Sequence, residues 1–246
     1  MSFEDFIKSK RVAIVGPAMY MMDSKLGKQI DDHDVVVRIN RSIESCKEFK
    51  GDIGSRTDVL YSCLIEKPEN AGDIDVDELV SLGVEFVCVP PRSTITGYAN
   101  NSLEITEYAN LNKLKKIESQ IKTRIIDHNL NNDIAASVKC RPNTGYLAIF
   151  DLLSMNPKKL SIYGFSFYLD GFMKNVKKGL SEMSEEEYAN KCFNSKRHVQ
   201  SNLWKYAKVT LLNNEKIYLD RTLDKILRMK DFSRESFDLL MRERNA

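Results

Sequence analysis

A proton mover working near neutral pH is drawn first from the imidazoles, and the 246-residue chain has only three: His33, His128 and His198. His33 stands between Asp32 and Asp34 at the head of an apolar run and reads as a residue that fixes a turn. His128, in Asp127-His128-Asn129, reads as a solvated loop residue. His198, in Lys196-Arg197-His198-Val199-Gln200, begins or interrupts a helix, where a lone histidine is ordinarily structural. Phosphate chemistry has two candidate places. In Pro142-Asn143-Thr144-Gly145, Asn143 or Thr144 can cap a helix whose unpaired N–H groups and positive dipole end would hold a phosphate without a metal. Taken alone, the same four residues read as a simple cap on a core helix. Asn40, closing Val37-Arg38-Ile39-Asn40, carries a carboxamide able to donate to a phosphate oxygen. Asp73 and Asp75 have a spacing that can hold a divalent cation, yet they also stand just before a helix, where acids cap it and favour its dipole.

These side chains need strand ends and helix starts to position them. Val12 to Val15 is an apolar run stopped by Gly16, which reads as a buried strand delivering its carboxyl end to a crevice, with the glycine letting a ligand approach the main chain. Val35 to Ile39, Asp58 to Tyr61, Val84 to Val89, Thr123 to Ile126 and Leu160 to Tyr163 read as further strands. Between them, helices are predicted at 2–9, within 19–30, at Asp77 to Gly83, Leu103 to Ile121, Asp133 to Val138 and Thr144 to Met155. Tyr188 to Val209 reads as helical, and Leu219 to Arg244 as one or two helices broken at Phe232-Ser233. The charged stretch from Asp170 to Glu187 reads as a mobile excursion. Such alternation predicts an α/β, Rossmann-like, mostly parallel sheet with helices on both faces, in a single domain over residues 1–246. Arg38 and Arg56 are predicted to pair with Asp34 or Asp58 and pin the strands.

With 37 basic and 35 acidic residues the net charge is +2, which argues against a nucleic-acid partner or a membrane surface. No apolar run is long enough to be a transmembrane segment. Cys46, Cys63, Cys88, Cys140 and Cys192 are scattered, odd in number and without paired metal spacing, and read as reduced thiols of a cytoplasmic protein.

One family shares this order of residues. Val15-Gly16, then Gly27, Ile30-Asp31, His33-Asp34 through Arg38 to Asn40, and Asp52-Ile53-Gly54-Ser55-Arg56-Thr57 resemble the large sialylmotif of the sialyltransferases, glycosyltransferase family 29. Pro142 to Gly145, the apolar helix after it and Ile162-Tyr163-Gly164-Phe165 resemble the small sialylmotif. The resemblance implies a variant GT-A nucleotide-sugar fold. It implies a CMP-activated sialic acid or related ulosonic acid as donor, a glycan or glycolipid as acceptor, and no metal cofactor. Gly16, Pro17, Ala18, Asn40, Asn143, Thr144, Gly145, Gly164 and Phe165 would line the CMP site, and His198 falls where the family keeps its catalytic base. An ordinary imidazole pKa near 6.5 would suit that work.

Four positions depart from the family. Pro17 replaces an asparagine, so donation there is expected from the Ala18 N–H or elsewhere, and Leu203 replaces a glutamate that would partner the base. Val12 and Pro157 fall where the animal enzymes carry a disulfide, which fits a bacterial or viral relative in the cytoplasm. Arg92, Tyr98 and Tyr168 are acceptor-side candidates. Two alternatives stay open: a metal-dependent nucleotide-diphosphate-sugar transferase using Asp73 and Asp75, and a catalytically silent CMP-binding protein.

Overall fold

The computed structural model describes residues 1–65, 72–91, 111–173 and 184–245. Among them seven strands form one sheet: β1 (Arg11–Val15), β2 (Val35–Ile39), β3 (Val59–Tyr61), β4 (Phe86–Val89), β5 (Lys122–Ile125), β6 (Lys159–Tyr163) and β7 (Ile217–Leu219). Their order is β5-β4-β3-β2-β1-β6-β7, and every pairing is parallel. Successive strands step outward from β1 on one side, and the chain then returns to β1's other edge with β6. The reversal lies between β1 and β6, where a doubly wound sheet opens a crevice at the carboxyl ends of its strands.

Helices cover both faces, as the continuous burial of the central strands demands. Val59, Tyr61, Phe86 and Cys88 point into the larger apolar cluster, while Leu60, Val87 and Val89 point into a smaller one with Leu79, Leu114 and Ile117. The Thr144–Ser154 helix, apolar on nearly every side, is anchored by polar bonds. Asp151, fully buried, takes two bonds from Arg124 (2.5 and 2.8 Å) and one from the Tyr61 hydroxyl (2.6 Å). Removing one partner of such a buried pair typically costs about 3–5 kcal/mol. The helix is thereby fixed to β3 and β5, and its amino end is held over the sheet's carboxyl edge.

Much of the large motif lies at the opposite edge and does structural work. The Asp31 carboxylate accepts the N–H groups of Ser55 and Arg56, while Arg56 donates to the Asp31 and His33 carbonyls and to Asp58 (2.9 Å). Gly54, at φ +74°, must lack a side chain because a Cβ would lie 2.3 Å from Asp31. His33 bonds the Gln29 carbonyl and, through Nε2, the Ser161 hydroxyl at 2.8 Å. Arg56 therefore pairs with Asp58 as predicted. Arg38 does not pair with an acid: fully buried, it donates to the carbonyls of Arg56 and Ile53 (3.2 and 2.7 Å).

Other boundaries moved. The helix predicted from Asp133 starts at His128, because the Asp127 carboxylate caps it on the Leu130 N–H. His128 is thus a first-turn helical residue rather than a loop residue. The helical stretch 188–209 is two helices, Glu185–Phe193 and Gln200–Leu211, with His198 in the break. Asp170 to Met173 is not a loose excursion: Asp170 accepts the Tyr20 N–H (2.7 Å) and Met173 donates to the Pro17 carbonyl (2.8 Å). Residues 174–183 lie outside the described ones, as do Arg92 and Tyr98. No helix among the described residues is long and apolar enough to cross a membrane.

Candidate active site

β1 and β6 end level, with Val15 opposite Tyr163, and the next residues nearly touch. A Cβ on Gly16 would lie 2.3 Å from the Gly164 carbonyl oxygen, so only glycine allows the two strand exits to close on each other. Gly16 itself does not line the cavity that opens beyond; its expected part in cradling a ligand is taken by contact with Gly164. The Ala18 N–H, expected to donate to a ligand in place of the family asparagine, is also spent, on the Gly164 carbonyl (3.1 Å).

The cavity has a volume of about 430 Å³ and lies over the carboxyl ends of β1, β2, β3, β4 and β6. Pro17, Ala18, Asn40, Asn143, Thr144, Gly145, Gly164, Phe165 and His198 all line it. Nine of the ten residues singled out from the sequence thus meet at one place, although the chain separates them by up to about 180 positions. Tyr168 is there too.

Donors toward an anion come from the Thr144–Ser154 helix and from Asn40. Asn143 caps the helix: its Oδ1 accepts the Tyr146 N–H (2.9 Å), and the Leu147 N–H enters the helical ladder on the Asn143 carbonyl (2.9 Å). The N–H groups of Thr144 and Gly145 are left at the cavity wall, where the helix dipole is positive. Asn40, at φ +47°, accepts the Cys63 N–H on Oδ1 (3.0 Å), so the amide nitrogen is the end of its carboxamide left to donate.

His198 has a defined tautomer. Its Nδ1 lies 2.7 Å from the Arg141 carbonyl oxygen, which can only accept, so Nδ1 carries the proton and Nε2 keeps a lone pair. The Arg141 N–H in turn donates to the Arg197 carbonyl (3.1 Å). The segment entering the Thr144–Ser154 helix and the segment carrying the imidazole are therefore laced together by two bonds. Burial pulls the His198 pKa down to about 4, and the charges of Arg141 and Arg197 act in the same direction against the carbonyl bond. The value near 6.5 expected from the sequence is not kept. A carbonyl does the orienting that a carboxylate was expected to do; Leu203, in place of that acid, is wholly buried and its carbonyl accepts the Tyr146 hydroxyl (3.0 Å).

The network behind the wall lies outside the sequence reading. Asp220 caps the Arg221–Arg228 helix through Oδ1, and its Oδ2 accepts the Tyr20 hydroxyl (2.7 Å) and the Gly164 N–H (2.9 Å). The Tyr20 oxygen then accepts the Phe165 N–H (3.1 Å). The backbone of Gly164 and Phe165 is thus held from behind, and their N–H groups do not face the cavity's contents. Asp170, on the same Tyr20, is pushed up to about 6 by burial. The only local signal was the capping pattern Asp220-Arg221-Thr222-Leu223. Asp75 also proves to be a cap, on the Asp77 and Glu78 N–H groups, and Asp73 is paired with Lys113 (2.8 Å). Neither carboxylate lines the cavity.

Residues 5–178 match the family model described as glycosyltransferase family 29 (sialyltransferase). A stretch of 53 residues, 22% of the chain, is 40% identical to the CMP-N-acetylneuraminate-beta-1,4-galactoside alpha-2,3-sialyltransferases of Homo sapiens and Pan troglodytes. It spans 14% of the length of those curated relatives. Among solved structures, a mammalian sialyltransferase in complex with Gal-beta-1-3GalNAc-ortho-nitrophenol is similar over 88% of this chain and 71% of that one, at 18% identity and a TM-score of 0.50. At that identity the likeness is one of fold.

Proposed function

Because this chain belongs to glycosyltransferase family 29 (sialyltransferase), we propose that it transfers a sialic acid or related ulosonic acid from a CMP-activated donor to a hydroxyl of a glycan or glycolipid, with inversion and without a metal. The observation that carries the reading is the junction at Arg141: a histidine with a bare Nε2 and a helix start with two open N–H groups share one cavity and are bonded to each other.

The chemistry follows from that arrangement. The bond between the anomeric carbon and the phosphate oxygen breaks, and its electron pair leaves with CMP. The Thr144 and Gly145 N–H groups and the Asn40 amide take up the charge that develops on the phosphate. The acceptor oxygen forms its bond to the anomeric carbon from the opposite face, and its proton passes to His198 Nε2. Phe165, half-buried in the wall, offers an aromatic surface at the nucleoside end. The metal-dependent alternative is disfavoured by the commitments of Asp73 and Asp75 described above. We read residues 1–246 as one transferase domain. The five cysteines, all free, fit work in a reducing compartment such as the cytoplasm.

The test is release of CMP from CMP-sialic acid in the presence of EDTA and a lactoside acceptor, with CMP binding followed by calorimetry in the same samples. Release should survive chelation and fall by about a hundredfold or more in His198→Ala while CMP still binds. Release abolished by EDTA, or equal in the variant, rejects the mechanism. CMP bound without release in the intact chain identifies a silent binding protein instead.

A further inference from the structure

Resting on that donor reading, we infer that the acceptor is an acidic glycan whose negative group is held beside the reacting hydroxyl by Lys191 and Arg197. The side chains lining the cavity include four cations, Arg41, Arg141, Lys191 and Arg197, and, among the described residues, no aspartate or glutamate. The imbalance is local, because the whole chain carries 37 basic and 35 acidic residues. Arg41 and Arg141 adjoin the donor elements, one after Asn40 and the other just ahead of the phosphate-facing helix. Lys191 and Arg197 lie elsewhere, in the last turn of the Glu185–Phe193 helix and in the turn that leads into His198. Both are exposed, and neither makes an ion pair with a described residue.

Their place decides which substrate they meet. Arg197 immediately precedes the base, and both residues line the cavity, which sets its cation on the imidazole's side, where the attacking hydroxyl must lie. The donor's phosphate falls to the helix start, away from the exposed rim. Two exposed cations at the mouth of a cleft, neither in an ion pair with a described residue, concentrate a positive potential there. A neutral glycan would leave that potential unused. A carboxylate on a sugar acid or a phosphate ester on a sugar would each answer it, the guanidinium as a fork and the ammonium as a point charge.

The experiment is an affinity series measured in the presence of CMP. The glycans are matched oligosaccharides ending in galactose, in an ulosonic acid, or in a phosphorylated galactose, titrated into the intact chain and into a Lys191→Gln/Arg197→Gln double variant. The acidic glycans should bind about tenfold or more tightly than the neutral one, and the variant should bring that ratio to about one. Whichever acidic glycan binds more tightly identifies the source of the charge. Equal affinity for all three overturns the inference. So does a variant that weakens CMP-sialic acid binding and keeps the acidic-to-neutral ratio, since the cations would then hold the donor's own carboxylate. CMP that fails to bind overturns the donor reading and this inference together; CMP that binds without any acceptor preference overturns this inference alone.

Discussion

The acid limb of the pH profile is where the site's electrostatics can be read most directly. The group to be titrated is His198, which acts as a base only while Nε2 is bare. An imidazole of ordinary pKa is about 3% neutral at pH 5. Held at about 4, His198 is about 90% neutral at the same pH. Since kcat/KM reports the free enzyme, it should stay near its neutral-pH value down to about pH 5 and halve only near 4, a roughly thirtyfold difference at pH 5 between the two cases. The assay is initial-rate CMP release at low CMP-sialic acid across pH 4 to 8 at constant ionic strength, with circular dichroism confirming the fold at each point. Asp170, pushed up to about 6, titrates inside this window and sits behind the wall, so the series is repeated in Asp170→Asn. A limb near 6.5 that persists in Asp170→Asn would refute the reasoning, because it would mean that burial and the two arginines do not depress the base.

Asp170→Asn should also raise thermal stability at pH 7.5 by up to about 3 kcal/mol, since it removes a carboxylate whose folded pKa lies above its unfolded value. Protonation favours the folded state of the parent, so the gain should shrink as pH falls through 6 toward 3.8, as melts at pH 7.5 and 4.5 would show. His198 has the opposite sign. Its stabilising share is complete above the unfolded value of 6.5 and is lost as pH falls toward 4. Asn143→Ala should cost about 1 kcal/mol through the lost cap and weaken CMP binding. Asn143→Asp should restore the stability but not the affinity, because it sets a carboxylate against the phosphate; calorimetry and melting on both variants check the pair.

The sheet was legible because its central strands are continuous apolar runs ended by glycine or a polar residue, as at Val12 to Gly16 and Val35 to Asn40. β7 was not, because Ile217, Tyr218 and Leu219 form a short edge strand, each half-buried, with no run to mark it. The cavity's residues could be named because each sits at the end of a strand or the start of a helix, where local sequence carries the signal. Partners far apart along the chain carry no such signal: Tyr20 meets Asp220 across 200 positions, and Arg38 finds carbonyls rather than the nearby acids. The depressed pKa of His198 was invisible for the same reason, since it arises chiefly from burial by residues distant in the chain, against the opposing bond to the Arg141 carbonyl, 57 residues away.

The bond from His198 to the Arg141 carbonyl gives the base an unusual mutational standing. An imidazole oriented by a carboxylate side chain can be misdirected by one substitution at the partner. Here the acceptor belongs to the main chain, so every residue type at position 141 supplies it, and replacing Arg141 changes local charge without removing the atom that fixes the tautomer. Insertions and deletions are the changes that matter. One residue added between Arg141 and Asn143 would displace the carbonyl from the imidazole and alter the entry into the helix at once. Tolerance to substitution combined with intolerance to length change is the signature to seek in a saturation library across 139–143, scored separately for folding and for CMP release.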